Sequence, residues 1–127
     1  MRLARLKASL VLVSSDRETA HGIQQYFDRV GARTVCATTL EEASSVGDRV
    51  DAAVIFADGM PLEALAEAAR ELPVRLVIVV TKEVEAVRDV LWAKPSRARV
   101  LVLPRLAWGF TLVDVVRRSL LVSQATA

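Results

Sequence analysis

Five short apolar runs, each followed by a stretch with helical spacing, constrain this chain more than any single motif. The runs are Ala8–Ser14, Thr34–Ala37, Ala52–Phe56, Val74–Thr81 and Val100–Leu103. Continuous apolar runs of this length suit strands covered on both faces. Between them, Ala20, Ile23, Phe27 and Val30 recur at helical spacing, as do Leu62, Leu65, Ala66, Ala69 and Leu72. Val84, Val87 and Leu91 mark a further helix, and Leu112, Val113, Val116 and Leu120 the last one. Strands alternating with helices over short connections predict a parallel sheet, helices on both faces and right-handed crossovers. The 127 residues suit one domain over 1–127. The simplest arrangement is α/β, a three-layer (βα)5 flavodoxin-like fold with a five-stranded parallel sheet in the order 2-1-3-4-5.

The punctuation between runs agrees. Ser15 with Glu18 reads as a capping box opening the first helix at about Asp16, and Gly31 as its C-cap residue. Thr39 with Glu42 is a second box, opening a short helix to about Val46 that Gly47-Asp48 breaks. Pro61 stands where a helix first turn tolerates it. Pro73, Pro95 and Pro104 close later elements, and the last helix starts near Thr111 and runs to about Val122. The tail, Ser123–Ala127, should fray.

Composition narrows the function. Aromatic residues make up 5% of a chain that is 53% hydrophobic, so the core must be aliphatic. Net charge is only +2 despite a pI near 9.1, which gives no case for direct nucleic-acid binding. Cys36 stands alone, which excludes an internal disulfide, and its apolar run suggests a buried, inert thiol. No stretch reaches the roughly 18 apolar residues of a membrane span. Leu10–Val13 is too short for a signal peptide, so a cytoplasmic location is expected. His21 lies off its helix's core stripe with no second histidine or cysteine to join it in a metal site. Ser14–Thr19 lacks the glycine of a phosphate loop and reads as a helix cap. Ser14, Ser15, Asp58 and Thr81 lie at strand ends that converge, but with no partner base they make no nucleophilic site, and no enzyme is expected.

The stretch Asp51–Pro61 is where an open α/β sheet would place chemistry: a buried strand running into the acidic loop Ala57-Asp58-Gly59. Here the residues resemble the receiver domains of bacterial response regulators, the CheY-like fold. The resemblance covers about Ser9–Val122 and rests on element order, Met60-Pro61, Leu72-Pro73-Val74 leading to Val80-Thr81, and Pro104. It implies a pocket of two acidic residues after the first strand, an acceptor aspartate, a switch hydroxyl and a lysine. Thr81 matches the switch hydroxyl. The acidic pair falls on Ser14 and Ser15, with Asp16 one residue late. The acceptor, three residues before the methionine, falls on Ala57, with Asp58 displaced by one. The lysine falls on Leu103 and the aromatic switch on Val100. Phosphoryl transfer needs a metal and a cation to neutralise developing charge, and two serines and a leucine supply neither. The resemblance thus points to a degenerate receiver without Mg²⁺ or other cofactor. Asp58, with Asp16 as sole metal carboxylate, is left as a possible acceptor, though a one-residue slip along a strand turns a side chain to the opposite face. If it is not an acceptor, Asp58-Gly59 is simply a turn pair.

In receivers the fourth helix, fifth strand and fifth helix form the usual dimer and output face. Val90 and Trp92 flank the core stripe of the fourth helix, and Val115 and Val122 widen that of the last, suggesting a homodimer or partner surface. Trp108 and Phe110 lie in the preceding loop, and Arg105, Arg117 and Arg118 are candidates for its polar rim. Three readings follow: a protein-binding pseudo-receiver in signalling, a phosphorelay receiver using Asp58, and a flavodoxin-like small-molecule binder. The chain is also expected to be compatible with an amino-terminal domain of a longer protein.

Overall fold

The structure, a computed structural model, describes residues 5–46 and 50–125, with 122–125 by backbone alone. Ten elements alternate in chain order: β1 (Ser9–Val13), α1 (Arg17–Arg29), β2 (Arg33–Ala37), α2 (Leu40–Ser44), β3 (Ala52–Phe56), α3 (Leu62–Glu71), β4 (Leu76–Thr81), α4 (Val84–Trp92), β5 (Arg99–Pro104) and α5 (Phe110–Ala125). The strands are all parallel in the order β2-β1-β3-β4-β5, as the alternation predicts.

Strand alternation divides the core in two. Leu10, Leu12, Ala52, Val54, Leu76, Ile78 and Val80 meet Ile23 and Phe27 of α1 and Leu112, Val113 and Val116 of α5. Val11, Val13, Ala53, Ile55, Val77 and Val79 meet Ala43, Leu65, Ala69, Val87 and Leu91 of α2, α3 and α4. Both faces of the central strands are therefore dry, and β4 is buried at every position. Each fully buried Val, Leu or Ile contributes about 1.5–3 kcal/mol before chain entropy is counted.

The helix ends refine the sequence expectations. Asp16, not Ser15, is the N-cap of α1: its carboxylate accepts from the Glu18 amide at 3.1 Å and the Thr19 hydroxyl at 2.9 Å. Ser14 instead accepts from the Asp16 amide at 3.1 Å. At the other end, Gly31 has φ +84, and the amides of Gly31 and Ala32 donate to the carbonyls of Asp28 and Phe27, a Schellman closure. Thr39 caps α2 as expected, while Glu42 reaches back to the amide and hydroxyl of Thr38. Gly47-Asp48 lies outside the described residues. Leu62, expected in the stripe of α3, is exposed because it occupies the first turn beyond Pro61, above the sheet edge. The chain stays helical to Ala125, past the expected fraying at Ser123.

Cys36 is half-buried rather than buried, since β2 is an edge strand with one thinly covered face. Burial, with the nearby Asp28 carboxylate adding to it, still pushes the thiol above its ordinary 9.0. Among the described residues no helix is long and apolar enough to cross a membrane.

Candidate functional site

Strand β3 ends at Phe56, and the next residues leave the pleat. Ala57 stays buried in the α2–α4 side of the core, its amide donating to the Val80 carbonyl at 2.9 Å. The Ala57 carbonyl accepts from the Met60 amide at 2.9 Å, closing a turn in which Gly59 has φ +87. A β-branched or bulky residue at Gly59 would be strained, so the turn accounts for the glycine.

The same turn corrects one expectation. Asp58 is not turned away from the pocket, because strand alternation no longer applies once the backbone has left the sheet. One carboxylate oxygen accepts from the Thr81 hydroxyl at 3.2 Å and from the Lys82 amide at 3.1 Å. The other lies 3.3 Å from Nε of Arg105. Thr81 is buried, and its oxygen accepts from the Glu83 amide at 3.0 Å. Asp58 therefore ties together the loops that follow β3, β4 and β5.

A pocket of about 240 Å³ opens beside it, lined by Ser14, Ser15, Asp16, Thr19, Phe56, Asp58, Val80, Arg105 and Trp108. The fold thus gathers Ser14, Ser15, Asp16 and Asp58 as the sequence suggested, with Thr81 bonded to the rim. Ala57 and Leu103 are not part of the lining. Leu103 packs on the α1–α5 core instead. What the sequence reading missed is Arg105, assigned there to a distant rim. The Thr81–Pro104 register places the residue after Pro104 just beyond the strand ends, close to the Asp58 loop. Trp108 stands in the loop before α5 as expected, and Phe110 opens that helix: Trp108 lies edge-on to Phe56 at 6.2 Å and over Gly22, and Phe110 meets Tyr26 at 4.9 Å. Their ring contacts are with α1 and the end of β3.

A divalent cation such as Mg²⁺ wants about six oxygen ligands in octahedral geometry. Among the described residues, Asp16 and Asp58 are the carboxylates lining the pocket. Each oxygen of Asp16 already accepts one bond from the first turn of α1, one oxygen of Asp58 accepts from both Thr81 and Lys82, and the other faces Arg105. A guanidinium already supplies the positive charge. These residues do not fit the ion, and among the described residues no group of three or more His, Cys, Asp or Glu is placed to hold a metal.

On the proposed interface, Val90 and Val115 are half-buried, and Val115 packs against the α1–α5 core. Trp92 is 59% exposed, donates from its indole to the Val100 carbonyl on edge strand β5 at 3.3 Å, and lies under the Arg88 guanidinium at 5.2 Å. The Val122 side chain lies outside the described residues. Arg117 and Arg118 pair with Asp114 on their own helix at 3.7 and 3.1 Å.

No protein-family model and no curated protein matches the chain. Among solved structures it is similar to the crystal structure of the response regulator PhyR from Brucella abortus, with a TM-score of 0.70 and 17% identity. The match covers 97% of this chain and 51% of that one, so the chain spans about half its length. At this identity the likeness shows the fold: a receiver-like, CheY-type flavodoxin-like domain.

Proposed function

We propose that the chain is a pseudo-receiver, a signalling module that works through protein–protein contact, including self-association, and not through phosphorylation, a cofactor or catalysis. The observation that carries this reading is the Arg105–Asp58 ion pair. A guanidinium from the protein itself neutralises the one carboxylate near the acceptor position, and Thr81 is already bonded to that carboxylate. In a receiver, a phosphoryl group arriving on an acid at this edge would recruit the switch hydroxyl. Here the hydroxyl is held without one. Ser14, Ser15, Ala57 and Leu103 bring no charge to assist transfer.

Incubation with acetyl phosphate and Mg²⁺, followed by intact mass, tests the reading. No added mass is expected. A second reading, phosphorylation of Asp58, is favoured by one fact: its carboxylate does face the pocket. A stable gain of one phosphoryl group, lost in Asp58→Asn, would establish that reading and overturn the first.

A further inference from the structure

A parallel sheet sorts charge as well as apolar groups. All five strands start at one edge. At that edge Arg5 and Lys7 precede β1, Arg75 precedes β4, and Arg33 and Arg99 open β2 and β5, all exposed. Arg117 of α5 joins Arg5, Lys7 and Arg75 around a cleft of about 370 Å³. Asp51 answers Arg75 at 3.0 Å and Asp114 answers Arg117 at 3.7 Å. Arg5, Lys7, Arg33 and Arg99 form no ion pair with another described residue. The opposite edge is the reverse, with Asp16, Glu18, Glu41, Glu42, Glu63 and Glu83 outweighing Arg17, Lys82 and Arg105. The net charge of +2 is thus a small difference between two separated charges, and it hides a basic face.

We propose that the cleft at this basic edge docks an acidic, leucine-bearing segment of a partner protein. Its cations surround an aliphatic floor of Leu6, Leu120 and Leu121; the first two are buried in the core, and Leu121, 58% exposed, is the apolar surface the cleft offers. A segment carrying carboxylates beside aliphatic side chains satisfies both parts. A nucleic-acid backbone offers phosphates and nothing to cover Leu121. Arginine predominates, and its planar fork pairs two-pronged with a carboxylate. The cleft lies at the opposite end of the sheet from Asp58, so the inference stands apart from the reading of that pocket.

Fluorescence anisotropy tests it, with a labelled synthetic helix carrying glutamates and a leucine stripe, at about 0.15 M salt where exposed long-range attraction is largely screened. Saturable binding is expected. Arg5→Glu with Lys7→Glu should weaken it roughly tenfold, since like charge now faces the peptide. Lys7→Glu alone gives a smaller loss and serves if the double variant does not fold. Leu121→Ser should also weaken binding, and Arg17→Glu, on the acidic edge, should not. The proposal is overturned if no saturable binding occurs, if the double and single variants bind like the parent, or if duplex DNA or anionic vesicles of phosphatidylserine bind more tightly than the peptide.

Discussion

Asp58 does more for its neighbours than for its own solvation. It supplies the acceptor for a buried hydroxyl and for a loop amide, whereas its ion pair reaches a guanidinium that is 67% exposed. The two kinds of contact should therefore separate on mutation. Asp58→Ala strands the Thr81 hydroxyl and should cost about 1–3 kcal/mol in urea unfolding. Asp58→Asn keeps an acceptor oxygen and should cost less. Arg105→Ala removes only a screened surface pair and should cost about 0–1 kcal/mol. If Arg105→Ala proves as costly as Asp58→Ala, the ion pair and not the hydrogen bonds holds the three loops together. Thr81 was legible beforehand, because a hydroxyl ending an apolar strand has one edge to occupy. Arg105 was not. Its partner lies in another loop, and nothing local in Leu103-Pro104-Arg105 says which way the chain turns after the strand.

The elements were legible because each carries its own start or stop signal, and errors fell where two signals compete. Ser15 and Asp16 both make good caps, and the aspartate won because it reaches both the Glu18 amide and the Thr19 hydroxyl. Gly31 has no competitor: only glycine adopts φ +84 at little cost, so Gly31→Ala should destabilise the domain by about 1 kcal/mol in thermal or urea unfolding. At α2 the signal is electrostatic. The amide and hydroxyl of Thr38 hold the Glu42 carboxyl below its ordinary 4.5. The charged form is thus the one the fold favours. Its stabilisation is present in full above the ordinary value and is lost as pH falls through the lowered one. Glu42→Gln should therefore loosen α2 at neutral pH, read as faster amide exchange than in the parent. The difference should shrink as the solution is made acidic enough to protonate Glu42. A difference independent of pH would mean that shape, not charge, secures this helix.

The whole molecule separates what pattern can reveal from what it cannot. The parallel sheet and its two dry core layers follow from period and spacing, while the order 2-1-3-4-5 was the simplest of several doubly wound arrangements and is what the structure shows. Which surfaces meet a partner depends on where loops and side-chain ends finish, and there the proposed α4–β5–α5 dimer becomes more specific. Val115 is half-buried against the core, so Val115→Glu would place a charge in apolar packing and unfold the chain before it tested any interface. Trp92 is the better probe: exposed, held by Val100 and Arg88, and lying along the open edge of β5. The separated charges offer a rival mode of association, the basic edge of one copy against the acidic edge of the next, which would build chains of molecules and not closed pairs. Salt distinguishes the two. At about 1 M the screening length falls to about 3 Å, which dissolves contacts between exposed charges and leaves apolar ones in place. Light scattering should then report a dimer that persists at high salt and becomes a monomer in Trp92→Ala. A monomer at every salt concentration removes the dimer. Assemblies that dissolve in salt and ignore Trp92→Ala move self-association from the helical face to the charged edges.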